Sequence, residues 1–416
     1  MIGPYLKILK KRSFSLLWLG QIVSQFGDRL TQMALIGFVY RIAPHSSLSL
    51  AKIMSLAIIP VFILSPVAGV YIDRWNKQRV MWVSDFLRGV FILTIPFLLG
   101  LTSLLFIYVF IFLSFCVGRF FIPAKMAIVP SLVEKKEVFM ANSLISTTAM
   151  ISAILGFGLG GVIVERLGIR SAFIIDATTF FASAFFISLM RIKEKSWFRP
   201  QDIIELSKKA ITEVKNSFIF DIKQGVKYLW KEQETKFAVR TFFVLFSCVG
   251  ALYVVFIVFI QDTLSSATLE LGKLAVGAGV GLFLGSLLYG RVAHRFSVKR
   301  VINIAMFFAS GYLIFFVTLL RVTPSKNFAF FSCFLLGLFA APIIIAVNGL
   351  IHTKSEDEFW GRTFSSLEVV IHFAFLIFMF ISSYLAEIFS PFTIILFVGI
   401  IIFSFSLVSL GGKGND

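Results

Sequence analysis

Long apolar runs alternate with short polar breaks along nearly the whole chain, and the runs have the length a helix needs to cross a bilayer, about 20 residues. They predict twelve spans, at 14–40, 48–72, 79–100, 104–128, 137–164, 171–190, 237–261, 272–293, 299–320, 327–351, 360–386 and 391–410. Between the sixth and seventh lies a polar stretch, Arg191 to Lys236, too charged to sit in lipid. The predicted organisation is therefore an N-terminal six-helix bundle over 1–190, a cytoplasmic linker over 191–236 and a C-terminal six-helix bundle over 237–416. In the linker, Ile219, Ile222, Val226, Leu229 and Trp230 recur at helical spacing, with Lys223, Lys227 and Lys231 on another face. Such a helix either lies on the inner membrane surface, where Lys meets anionic lipid, or joins the bundles as a solvated rod.

A charged turn is written twice. Gly69-Val-Tyr-Ile-Asp73-Arg74-Trp-Asn-Lys77-Gln-Arg79-Val80 returns as Gly290-Arg-Val-Ala-His294-Arg295-Phe-Ser-Val-Lys299-Arg300-Val301, each matching position 221 residues later. A loop that recurs at about half the chain length points to two similar halves. Duplicated halves in a membrane are a common build for secondary transporters, with the pathway between them.

Composition agrees with the pattern. Of 416 residues, 58% are hydrophobic and 15% charged, against about 25% charged in soluble domains. The 51 Phe fit lipid-facing filler better than an aromatic binding surface. The net charge of +17 suggests nucleic acid until its placement is considered: 31 of the 39 Lys and Arg fall in segments that a cytoplasmic N-terminus puts inside. That asymmetry is the positive-inside rule, with both termini cytoplasmic. The basic start at Lys7, Lys10, Lys11 and Arg12 leads into a span too long for a cleavable signal. Cys116, Cys248 and Cys333 lie within spans, which argues against a disulfide framework. The four His are scattered and no Cys pair has ligand spacing, so neither metal nor cofactor is expected. Gly277-Ala-Gly279-Val-Gly281 sits inside a span, where close helix packing explains it better than a dinucleotide loop.

Polar residues inside spans are the candidates for chemistry. Gln21, Gln25, Asp28 and Gln32 stand at i, i+4, i+7 and i+11, one face of the first span, with Ser24 and Thr31 beside them. A charge at bilayer depth costs about 2.5–3.5 kcal/mol or more unless it meets water or a partner. Asp28 therefore faces a cavity or fixes helix packing. Arg29 is placed to neutralise a carboxylate from another span. In span eleven, Ser365, Glu368 and His372 share a face. Glu368 and Asp28, assisted by His372, are candidate proton carriers; the alternative is a static ion pair with Arg29 or Arg119.

With these motifs in hand the chain resembles the major facilitator superfamily. The Gly69–Arg79 turn is similar to its signature between spans two and three, and span five to its antiporter glycine motif, here Ser143, Ser152, Gly156, Phe157, Gly160 and Gly161. Two glycines there have become Ser and the proline has become Phe; the residues that stay small still suit close helix packing. The run from Phe14 to Asp28, Pro123-Ala-Lys-Met-Ala-Ile-Val-Pro130, Ala141-Asn142-Ser-Leu144 and Ile175-Asp-Ala-Thr-Thr-Phe180 resemble the macrolide-efflux and siderophore-exporter branch. Lysophospholipid transporters are the nearest competitor, and a non-transporting membrane scaffold or receptor is the alternative from outside transport, against which the polar stripe of the first span argues. The resemblance implies an all-α membrane protein of twelve transmembrane helices in two pseudo-symmetric bundles, a monomer in a bacterial cytoplasmic membrane. It implies proton-coupled export of a small amphipathic compound by alternating access, in contact with membrane lipids and with no nucleic-acid partner. Asn142 joins the pathway candidates on this ground. Arg119, unusual for that branch, is a candidate for an anionic substrate group or for pairing with Asp85. The turn implies a cytoplasmic latch of Gly69, Asp73, Arg74, Arg79, Asp85 and Arg88, with Gly290, Arg295 and Arg300 in the second half. His294 stands where the second Asp would be. The competing reading of these charges is that they only fix topology.

Overall fold

The structure is a computed structural model that describes residues 3–72, 75–100, 104–192, 233–292, 297–352 and 358–411. Almost all of them are helical. In order, α1 is Gly3–Leu9, α2 Arg12–Ile42, α3 Ser47–Ile72, α4 Lys77–Leu98, α5 Leu104–Leu132 and α6 Val138–Ser188. Then follow α7 Gln233–Leu264, α8 Leu269–Val292, α9 Val298–Val322, α10 Lys326–His352, α11 Glu358–Phe389 and α12 Pro391–Gly411.

The breaks have local causes. Asn76 begins α4, its Oδ1 accepting from the Arg79 N–H at 2.9 Å. Glu134 and Glu137 form a reciprocal cap on the 3-10 turn before α6. Pro391 opens α12 right after Ser390, whose φ of 89° ends α11. Within α6, Gly168 has φ 85° and ψ 166° and interrupts the helical backbone. Residues with a Cβ rarely adopt that conformation.

Ten helices among the described residues are long and apolar enough to cross a membrane. The difference from twelve has a physical reason. The 54 residues Lys135–Ser188 count once although Gly168 divides α6. The 31-residue α2 falls outside the set, with Gln21, Gln25, Asp28, Arg29 and Gln32 through its middle. The helices show large apolar side chains to the outside, Phe97 at 75% and Phe139 at 82% exposed among them. That is the surface of a chain solvated by lipid.

By internal packing the chain divides into two units, residues 1–38 with 53–218 and residues 39–52 with 219–416. In the first, α4 packs on α5 and α6. A core of Ile8, Phe14, Leu17, Met81, Ile128 and Ile187 is fully buried, so the short α1 is anchored. In the second, α7 packs on α11, α8 on α10, and α9 on α10 and α12. The pairing of α8 with α10 is backbone on backbone. A Cβ at Gly281 would lie 2.0 Å from the Phe334 carbonyl oxygen, and one at Gly337 would lie 2.2 Å from that of Ala278. Small residues permit this approach. Segment 39–52, which the sequence assigns to the first bundle, groups with the second unit. There Ser46 Oγ donates to Glu387 at 2.6 Å, the Leu48 N–H donates to the same oxygen at 3.1 Å, and His45 pairs with Asp262 at 2.6 Å. The amphipathic stretch 219–231 of the linker lies outside the described residues.

Candidate functional site

The polar face of α2 opens the site. Its turns set Gln21, Gln25 and Asp28 in a row, and Gln25 Nε2 donates to Gln21 Oε1 at 3.1 Å. Lys125, half-buried on α5, donates to the same Oε1 at 3.0 Å. Gln21 is 3% exposed, while the Asp28 side chain keeps 30% of its surface open.

Arg88 of α4 is the centre. Its Nη2 pairs with Asp28 Oδ1, its Nη1 stands 4.0 Å from Asp85 Oδ1 one turn away, and its Cζ lies 4.0 Å above the ring of Phe180. Gly118 on α5 makes room: a Cβ there would lie 3.3 Å from Arg88 Nε. Ser183 Oγ donates a hydrogen bond to the other oxygen of Asp85, Oδ2, at 2.5 Å. Behind this group, Asp176 of α6 is 0% exposed. Thr31 Oγ1 bonds its Oδ2, and Thr179 Oγ1 lies 3.1 Å from its Oδ1 and 2.7 Å from its main-chain oxygen. Asp176, Thr179, Phe180 and Ser183 stand at i, i+3, i+4 and i+7, one face of a helix. Gly27 lets α2 close on that face, since a Cβ would lie 2.0 Å from Thr179 Oγ1 and 2.1 Å from Asp176 Oδ1.

Five ionisable groups thus share the interior of the first unit, three carboxyls and two cations. The pairing with Arg88, the hydroxyls that donate to the carboxyls and the Gln21 oxygen that accepts from Lys125 offset the cost of holding charge away from water. Chemically, such a network can meet a charged or hydrogen-bonding ligand at Asp28, its most open carboxyl.

Several sequence expectations need correcting. Asp85 and Arg88, grouped with the charged turn, lie 8 and 11 residues into α4, about 12 and 16 Å along its axis. Their partners are Asp28 and Ser183, so their place is the buried network. Arg29, expected to meet a carboxylate, instead donates to Gln32 Oε1 at 3.1 Å, with its Cζ 5.3 Å above Phe157. Arg119, offered as a partner for Asp85, reaches the Ala57 carbonyl oxygen at 3.4 Å.

The other sites are distributed. A Cβ on Gly156 would lie 2.8 Å from Arg29 Cβ, and one on Gly160 would lie 3.3 Å from Met33 Cγ, so α6 lies close on α2 there. Ser152 and Gly161 are buried, Ser143 half-buried and Asn142 exposed. Gly69 falls in the last turn of α3, Arg79 is exposed in the first turn of α4, and Gly290 and Arg300 are exposed at the ends of α8 and α9. Asp73, Arg74 and Arg295 lie outside the described residues, as does the side chain of Glu368. His372 on α11 is half-buried, 6.1 Å between centroids from Phe246.

Sequence reasoning missed Asp176, Thr179, Ser183 and Lys125 as members of the buried network. The first three carried a signal, a polar i, i+3, i+7 stripe in an otherwise apolar span.

The family described as transmembrane secretion effector matches residues 4–375. YfiS of Bacillus subtilis, described as an uncharacterized transporter of the major facilitator type, is 25% identical over 94% of this chain and 91% of its own. BacE of the same species, whose name assigns it provisionally to bacilysin export, is 25% identical over 88% and 86%. Macrolide efflux protein A of Streptococcus pyogenes is 21% identical over 91% and 90%. Among solved structures, a POT family transporter in complex with 5-aminolevulinic acid superposes with a TM-score of 0.71 at 13% identity, over 96% of this chain and 95% of that one. A bacterial homologue of the iron transporter ferroportin gives 0.70 at 15%, over 95% and 98%. At these identities the solved structures speak for the fold alone.

Proposed function

The chain belongs to the transmembrane secretion effector family, a branch of the major facilitator transporters, and we propose that it exports an amphipathic organic compound in exchange for protons. Its relatives along nearly the full length include proteins named for macrolide and bacilysin export. The family and the fold neighbours are transporters, not enzymes.

The observation that carries the proton-coupled reading is the Asp28–Arg88–Asp85 network. A membrane protein tolerates five ionisable groups in one bundle interior where their charge state has work to do or their pairing is permanent. The partly open Asp28 favours the first. It is the group an incoming cationic or hydrogen-bonding substrate meets, and Arg88 is the group it displaces. Gln21, Gln25, Gln32, Asn142 and Arg119 contribute polar contacts along the route, and Glu368 with His372 supplies the second half's proton relay. Two six-helix bundles alternate access around that route, twelve spans in all when α2 is counted and α6 is read as two crossings. The charged turns, Asp73 among their residues, act as the latch of the cytoplasmic side. Both termini lie in the cytoplasm, the membrane is the bacterial cytoplasmic one, and the protein works as a monomer with lipid around it.

The test is accumulation of radiolabelled erythromycin in an efflux-deficient host with and without the protein. Lower accumulation that an uncoupler abolishes supports the reading. Equal accumulation across a panel of amphipathic compounds, or efflux indifferent to the uncoupler, removes it.

A further inference from the structure

We propose that Asp176 is a proton-binding residue of the first unit and carries its proton in the conformation described here. The observation is a count of hydroxyl hydrogens. Thr179 Oγ1 lies 2.7 Å from the Asp176 main-chain oxygen and 3.1 Å from its carboxyl Oδ1. A main-chain oxygen only accepts, so the single Thr179 hydrogen goes to the shorter contact. The contact to Oδ1 then pairs two oxygens with no hydrogen between them unless the carboxyl itself supplies one. A neutral Asp176 completes the arrangement: Oδ1–H donates to Thr179, and Thr31 donates to Oδ2.

The surrounding charges leave Asp176 without a counter-ion. Arg88 is committed to Asp28 in direct contact and to Asp85 at 4.0 Å, and Lys125 donates to Gln21. Asp28 on α2 and Arg88 on α4 act on Asp176 with opposite sign. Lys125 on α5 acts on Asp28 and Asp85 instead. The carboxyl is wholly buried, with Gly27 and Thr179 pressed on it. A carboxylate so placed, with no cation of its own, meets the full cost of burying charge.

The geometry also supplies a cation to take the proton's place. Phe180, over which the Arg88 guanidinium lies, is one turn from Asp176 on the same face of α6. A cationic or proton-donating group that neutralises Asp28 frees Arg88 to slide along that face. The guanidinium then stabilises the Asp176 carboxylate while its proton passes to water. Asp176 is in this view the store and Asp28 the trigger. Its use in transport rests on the proton-coupled reading above; the bound proton itself does not.

The experiment takes the full-length protein in detergent without substrate and records infrared spectra at neutral pH in H2O and D2O. Wild type is expected to show the deuterium-sensitive carbonyl stretch of a buried protonated carboxyl. Asp176→Asn should lose one such band, while Asp28→Asn and Asp85→Asn retain it. Thr179→Val, which keeps the carboxyl and removes its acceptor, should shift the band and serves if Asp176→Asn does not fold. An unchanged band in Asp176→Asn, its loss in Asp85→Asn instead, or an unshifted band in folded Thr179→Val overturns the assignment. Erythromycin efflux from cells separates the two claims: a band lost with Asp176→Asn beside uncoupler-insensitive efflux keeps the proton and defeats the coupling.

Discussion

Replacing Arg88 by Met tests whether the buried network is held together by its single guanidinium. The side chain is 10% exposed and serves two carboxylates, Asp28 in contact and Asp85 at 4.0 Å. At that separation a unit pair attracts by about 4 kcal/mol in a medium of effective dielectric about 20. Desolvation offsets much of it while the pair is intact, but truncation leaves the carboxylates buried without their cation, at a cost of about 3–5 kcal/mol. Asp28 is 30% exposed and regains some hydration, and Asp85 keeps its bond from Ser183, so the lower end applies, about 3 kcal/mol. For a unit of this size each kcal/mol moves the melting temperature by about 2–4 °C, giving a fall of about 6–12 °C.

The three free cysteines provide the assay. Cys333 is buried and Cys116 and Cys248 half-buried, so a thiol-reactive dye reports unfolding as they become accessible. The double variant Arg88→Met with Asp28→Asn should recover at least half the loss, because the charge that Arg88 neutralised in direct contact is gone too. Asp28→Asn alone should be milder than Arg88→Met, since Arg88 keeps Asp85. Two residues in one network must show such coupling. Wild-type melting in Arg88→Met, or losses in the double variant that simply add, would refute the pairing as the organising contact.

Other consequences can be checked the same way. Gly281→Ala places a methyl where the Phe334 carbonyl oxygen stands and should lower stability by about 1–3 kcal/mol as α8 and α10 separate, read by the same dye assay. Gly168→Ala forces a Cβ into a left-handed backbone and should cost about 1–2 kcal/mol; an unchanged melt would argue against the break in α6. Glu387→Gln removes a negative charge from the start of α3 and should cost about 0.3–1 kcal/mol, with the effect shrinking in high salt. Asp73→Asn should lower export of whichever compound the accumulation assay identifies, while membrane insertion and melting stay at wild-type values, if the charged turn is a latch.

What could be read from the sequence divides by physical cause. Helix content and the small-residue stripes follow from local pattern, since an apolar run of span length has few alternatives and Gly281 sits within a glycine repeat. The α2 stripe was legible because helical spacing alone sets Gln21, Gln25 and Asp28 on one face. The partner of Asp28 was not legible, because pairing between α2 and α4 is a tertiary fact that no local spacing encodes. Arg88 was misassigned for a related reason. It lies near the charged turn in sequence, and a tally of basic residues treats every Lys and Arg as a surface charge. A helix that runs 11 residues inward from Lys77 turns that surface charge into a buried one.

The same reasoning explains why the network is built from these helices. Gly27 on α2 and Gly118 on α5 remove the side chains that would keep α6 and the Arg88 guanidinium at a distance. The carboxyls come from three separate helices, α2, α4 and α6, so the protonation state of any one alters how strongly the helices hold together. If Asp176 loses its proton, the first unit carries one more negative charge, and Arg88 is the mobile cation nearest to answer it. The guanidinium is in contact with Asp28 here, and direct contact with Asp176 would need it to move along α6. In the proposed mechanism that movement acts as a switch, because it would exchange the α2–α4 ion pair for an α4–α6 ion pair inside the same unit. A bundle whose internal contacts depend on a proton can bias its own conformation, and coupled transport requires that bias.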